Sequence, residues 1–178
     1  MGTAHESQPD LADEIVGRLV RRHSTAVVLF HHAVAERLGL GPTDHKCLDL
    51  LRERGATTGS ELAAMTGLTT GAITGVVARL ERAGYLSREP DPNDGRKQTL
   101  HPARERMGDL QAALAPIRKD MTALLADFDT HQLTAIAEFL ARSTELIYRH
   151  GALLRAVTRC GVAQSATANT ANAEEKVR

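Results

Sequence analysis

A chain of 178 residues can bury one substantial core, since folding units usually hold roughly 100–200 residues. With aromatic residues at 3% and no tryptophan, the rings that line a large aromatic cofactor cavity are scarce, and aliphatic packing has to dominate. Lysine plus arginine equals aspartate plus glutamate, 22 against 22, which excludes a global basic field; any grip on nucleic acid must come from local arrangement.

Residues 1–9 are polar and aperiodic, with neither the basic start nor the apolar centre of a signal peptide, and read as a loose tail. From Asp10 the apolar residues Leu11, Ile15, Leu19, Val27, Phe30, Val34 and Leu38 recur mainly at three- and four-residue steps. They predict a long amphipathic helix that stops at Gly39 and Gly41-Pro42. So long an apolar stripe exceeds what a small core needs and points to a partner chain. Thr43 is the expected cap of a second helix ending at Gly55. Thr58 and Glu61 have capping-box spacing ahead of a short helix that Gly67 terminates. Thr69 caps the next, whose Ile73, Val76, Val77 and Leu80 share one face before Gly84.

Tyr85 to Pro90 and Lys97 to His101 read as two strands of a hairpin around the turn-forming run Asp91-Pro92-Asn93-Asp94-Gly95. Pro102 is expected to open a fifth helix, with Pro116 as a kink site. Thr130 is expected to cap a sixth that reaches to about Ala156 across Gly151. From Gln164 the chain is rich in Ala, Thr and Asn and then charged, and the end of the chain, 161–178, reads as a flexible tail or a frayed helix. The fold class is therefore mainly α with a small β-hairpin wing (α+β). A winged helix-turn-helix lobe over 42–102 is flanked by a helical dimerisation region over 10–41 and 103–160.

In that order of elements the second helix of the pair enters a major groove and the hairpin reaches a neighbouring minor groove. The outward face of 69–82 carries Thr69, Thr70, Thr74, Arg79 and Arg82, suited to phosphate oxygens and base edges. Gly71 and Gly75 lie on the same side, either as tolerated surface glycines or because something approaches the backbone closely. At the hairpin tip Asp94 can hold Arg96, beside Lys97, for a narrow electronegative minor groove.

The stretch SELAAMTGLTTGAITGVVARLERAGYLSREPDPNDGRKQTLHPA, residues 60–103, resembles the helix-turn-helix and wing of the MarR family of transcriptional regulators, including its D-x-R wing signature at Asp94 and Arg96. The resemblance implies a homodimer built by the first, fifth and sixth helices on a pseudo-palindromic double-stranded DNA operator, acting as a repressor or occasionally an activator. It maps phosphate and base contacts onto Ser60, Thr69, Thr70, Thr74 and Arg79. Relatives often carry larger polar or basic residues where this chain has Gly71 and Gly75. Threonine contacts, backbone approach and shape readout are accordingly expected in place of arginine–guanine pairs.

The resemblance also implies an unidentified small-molecule effector bound beside the dimerising helices, and His31, His32, His45 and Cys47 are the polar groups placed near that cleft. His32 and Glu36 have i, i+4 spacing for zinc, but residues 103–127 hold no matching histidine, so no metal and no cofactor is assigned. Cys47, beside His45 and Lys46, is a candidate redox switch or a small core residue. No G-x-S-x-G elbow, P-loop, H-E-x-x-H helix or dinucleotide fingerprint is present, so no enzyme is expected. The alternatives to a ligand-released regulator are a winged-helix interaction module without DNA binding, or a zinc- or thiol-responsive regulator. Two cysteines and no apolar run near ~20 residues place the expected protein in a reducing cytoplasm, with no membrane partner.

Overall fold

The computed structural model describes residues 7–90 and 97–175, with side chains described as far as residue 158. The first helical stretch comprises α1 (Gln8–Glu14), a π-helical turn (Ile15–Leu19) and α2 (Val20–Arg37). There follow α3 (Pro42–Arg54), β1 (Thr57–Thr58), α4 (Gly59–Thr66), α5 (Thr70–Arg82), β2 (Leu86–Pro90), β3 (Gln98–Pro102), α6 (Met107–Leu125) and α7 (Thr130–Glu175). The class is the expected one, helices with a small antiparallel sheet, and no single helix among the described residues is long and apolar enough to cross a membrane.

Several helix ends follow local chemistry closely. Gly39, Gly55, Gly67 and Gly84 all take positive φ, between 68° and 78°, which an L side chain would resist at these helix exits. Two caps differ from expectation. Gly41 is the N-cap of α3 with Pro42 at the first helical position, so Thr43 lies inside the helix; a proline there has no amide hydrogen to leave unpaired. At α7 the box is made by Asp129, whose carboxylate accepts from the Gln132 amide at 2.8 Å while the Asp129 amide donates to Gln132 Oε1 at 2.9 Å. Thr130 is thus the first helical residue, not the cap.

The chain divides into two compact units, Met1–Ile117 and Arg118–Arg178. The division falls within α6, whose first half belongs to the first unit: Leu110 is fully buried in its core, and Met107, Ala113 and Leu114 pack against that core. That core joins Val34 and Ala35 of α2, Leu48 and Leu51 of α3, Leu62 of α4, the inner face of α5, Tyr85, and Leu86 and Leu100 of the sheet. Pro102 closes β3 instead of opening a helix, its position fixed opposite Leu86. The hairpin also gains a third strand: β1 pairs antiparallel with β3, Thr57 opposite Leu100, giving the order β1-β3-β2. A two-residue strand has no periodicity to read, so only its partner reveals it.

In the second unit α7 continues through Gly151 and stays helical to Glu175, the helical one of the two readings that composition left open; the alanine-rich run supplies the propensity. Leu133 and Ile136 are half-buried, whereas Met121, Leu124, Phe139, Leu140, Ile147, Leu153, Leu154 and Val157 are exposed.

Candidate nucleic-acid interface

The helix-turn-helix is built from three local devices. Thr58 Oγ1 accepts from the Glu61 amide at 3.2 Å, and Glu61 Oε2 accepts from the Thr58 amide at 2.7 Å, closing the capping box at the start of α4. The hydrogen bonds donated to the Glu61 carboxylate by the Thr58 amide, the Thr58 hydroxyl and the Thr57 hydroxyl hold it below its ordinary pKa. Gly67 turns the chain in the left-handed region, and Thr69 Oγ1 accepts from the Ala72 amide at 3.2 Å to start α5. The two helices are bent through 114°, within the roughly 90–120° of helix-turn-helix pairs. Burial of Ile73, Val76, Val77 and Leu80 then fixes which face of α5 looks outward.

Beside that face lies a groove of about 710 Å³, formed by the start of α4, the first half of α5 and the sheet. It brings together Ser60, Thr70, Thr74 and Lys97, expected from sequence, and adds Arg88 and Gln98, which were not. Strand pairing sets Arg88 opposite Leu100, and Gln98 stands two residues before Leu100, so both share its side of the sheet. The period-two alternation around Leu100 could have found them. Arg88 is held by Glu81 of α5, with Nε donating to Oε2 at 2.9 Å and Nη2 at 2.7 Å. The Thr74 hydroxyl donates to the Thr70 carbonyl at 2.9 Å, and its oxygen, on an exposed residue, keeps the capacity to accept.

Arg79 has a partner that local spacing does not reveal. Its Nε and Nη2 donate to the two oxygens of Asp44 at 2.8 and 2.7 Å, a bidentate pair across 35 residues that ties α5 to α3. Asp44 is buried and the Arg79 side chain is 53% exposed, so the pair sits at the edge of the core and holds α5 against α3. At Gly75 a Cβ would stand 3.3 Å from Arg79 Nη1, so a side chain there would press on the arginine that Asp44 holds. Gly71 differs: it is exposed, with nothing within 4 Å of where a Cβ would stand. Arg82 is exposed at the end of α5. The wing residues Asp94 and Arg96 lie outside the described residues, while Lys97 is exposed at the edge of β3.

The groups assigned to an effector cleft separate. His32 is exposed, and so is Glu36. His31 and His45 approach with ring centroids 5.2 Å apart, and burial lowers the pKa of both. Cys47 is fully buried; burial, aided by the Asp44 carboxylate, pushes its thiol up to about 11. That is the opposite of the activation considered from its neighbours Lys46 and His45, because a buried thiol feels its apolar surroundings more than a lysine that projects into water.

A family model described as MarR family matches residues 40–97. The HTH-type transcriptional regulator YcgE of Bacillus subtilis (strain 168) is 38% identical over 130 residues, covering 73% of this chain and 84% of that protein. Among solved structures, the transcriptional regulator Tm0710 from Thermotoga maritima aligns with a TM-score of 0.56 at 23% identity, covering 77% of this chain and 96% of that one. Apo MarR from E. coli aligns with a TM-score of 0.53 at 20% identity, covering 71% and 94%. The two solved structures bear on the fold; the matched stretch 40–97 contains α4, α5 and β2.

Proposed function

Because this chain belongs to the MarR family of transcriptional regulators, we propose that it binds a pseudo-palindromic operator as a homodimer, represses from it, and is released by a small-molecule effector. The observation that carries the reading is the groove beside α5. There the hydroxyls of Ser60, Thr70 and Thr74 sit with Arg88, Lys97 and Gln98 next to an open helix face at Gly71. Short hydroxyl side chains and a bare backbone let α5 lie deep in a major groove, with methyl and hydroxyl contacts to base edges. The charges on the strands fall against phosphates, and the wing tip with Asp94 and Arg96 reaches the adjoining minor groove. A regulator of this kind works where the chromosome is, in the cytoplasm.

The homodimer is supported by apolar side chains that the described chain leaves in water. Val16 in the first helical stretch and Leu153, Leu154 and Val157 in α7 are 71%, 55%, 70% and 71% exposed. Two α5 helices related by a two-fold axis would read half-sites about 34–36 Å apart. An effector works only by binding the DNA-competent and released arrangements with different affinity.

Selection of bound duplexes from a random-sequence library, followed by anisotropy titrations across salt, tests the reading. The expected result is a two-fold-symmetric consensus and an affinity that falls steeply as salt rises, with a shallower slope and affinity lower by on the order of 1–3 kcal/mol for Arg96→Ala. No enriched sequence and no salt dependence would instead mark a protein-interaction module. Sedimentation of Leu154→Glu should show monomer where the parent chain is a dimer, since a charge at so exposed a position leaves the lone protomer unharmed.

A further inference from the structure

We propose that His31, His45 and Asp49 form a binding site for one divalent first-row transition metal of the zinc type, between α2 and α3. His45 and Asp49 are one turn apart on α3, and His31 comes from α2 to face them. One donor atom from each lies within 4.8 Å of the other two. The Nδ1 atoms of His45 and His31 stand 3.4 and 3.7 Å from the same oxygen, Asp49 Oδ2. A tetrahedral ion with bonds of about 2.0–2.1 Å holds its ligands roughly 3.3–3.5 Å apart, so closure needs side-chain adjustments of only tenths of an ångström at two of these pairs.

A second, independent observation points to a ligand. His45 is 1% exposed, and neither of its ring nitrogens has a hydrogen-bond partner among the described residues; His31 Nδ1 is likewise buried without one. A buried polar atom left unpaired is costly, and an imidazole nitrogen aimed at a carboxylate and a second imidazole is relieved by a cation as well as by a proton. Burial disfavours the protonated form of both rings, and the neutral form is the one that ligates.

The donor set of two imidazoles and one carboxylate suits Zn²⁺, Co²⁺ or Ni²⁺ better than a hard cation such as Mg²⁺, which takes oxygen ligands. Two cations compete for the carboxylate: Lys46 Nζ at 3.4 Å and Arg52 Nη1 at 3.9 Å. Lys46 is 55% exposed, so its ammonium can turn into water when the ion enters. His31 and Asp49 each keep about a quarter of their side-chain surface exposed, which leaves an ion a way in from water. Pairing within one helix, as with His32 and Glu36, misses this set, because His31 is distant in sequence from the other two donors.

The experiment uses the full chain stripped with chelator and titrated with Co²⁺ alone, with DNA absent, so that its result is independent of the DNA-binding reading. One equivalent of Co²⁺ should produce the intense visible d–d band of a tetrahedral or five-coordinate site, and Zn²⁺ should bleach it by competition. His31→Gln and Asp49→Asn, both at half-buried positions, should each weaken binding by at least about tenfold while circular dichroism shows an unchanged fold. Absence of a saturable band at one equivalent overturns the proposal, and so does a band that persists with unchanged affinity in both variants.

Discussion

Replacing Gly71 by alanine separates what the fold requires from what a bound duplex requires. Gly71 is the second residue of α5, it does not take a positive φ, and an added Cβ meets nothing within 4 Å. The folded state therefore accepts the methyl without strain, and the gain from a less flexible unfolded chain is about 0.4–1 kcal/mol, toward the lower end because the residue lies in the first turn. With a urea m-value of about 2 kcal/mol/M, the midpoint should rise by roughly 0.2–0.5 M, compared at one protein concentration because the stability of the proposed dimer would depend on it. Bound to its selected duplex the same methyl would stand between α5 and the DNA. Forcing a methyl into a packed contact costs about 1–3 kcal/mol, so the Kd in anisotropy should rise by roughly 5- to 150-fold. Gly75→Ala is the internal comparison: its Cβ would press Arg79 Nη1 at 3.3 Å, offsetting part of the helix gain. A more stable Gly71→Ala protein with unaltered DNA affinity would refute close approach at this helix face, and a less stable one would refute the packing argument.

Thr58→Ala should lose about 1 kcal/mol in urea melts, whereas Thr58→Ser retains most of the stability, since the hydroxyl both accepts from and donates to Glu61. His31 and His45 are depressed below their ordinary 6.5, chiefly by burial, with Lys46 and Arg52 reinforcing and Asp49 opposing the shift. The unfolded chain therefore binds more protons as pH falls, so stability is fully present above 6.5 and declines below it. In chelator, the urea midpoint should be lower at about pH 5.5 than at about pH 7.5, and His45→Gln should flatten that difference. Cys47 should resist alkylation in the native protein and react once urea unfolds it, read at that residue by peptide mass mapping; rapid native labelling would contradict its burial and raised pKa.

Local chemistry made much of the reading lobe visible in the amino-acid order. Capping at Thr58 and Thr69, the left-handed glycines, and the apolar face of Ile73, Val76, Val77 and Leu80 all act over three or four residues. The features that sequence reading missed act over longer spans. Asp44 reaches Arg79 from 35 residues away and ties α5 to α3. Arg88 and Gln98 enter the groove only when β2 and β3 pair in register, and β1 exists only because β3 lies beside it. The histidines show the same divide at one site. Helical spacing drew attention to His32 with Glu36, whereas the packing of α2 on α3 exposes those two and buries His45 against His31 and Asp49. Backbone propensity, capping and amphipathic period are properties of neighbouring residues and are written in the chain. Which side chains meet across a core, and how far burial shifts their charge, depends on contacts between segments that sequence order does not place together.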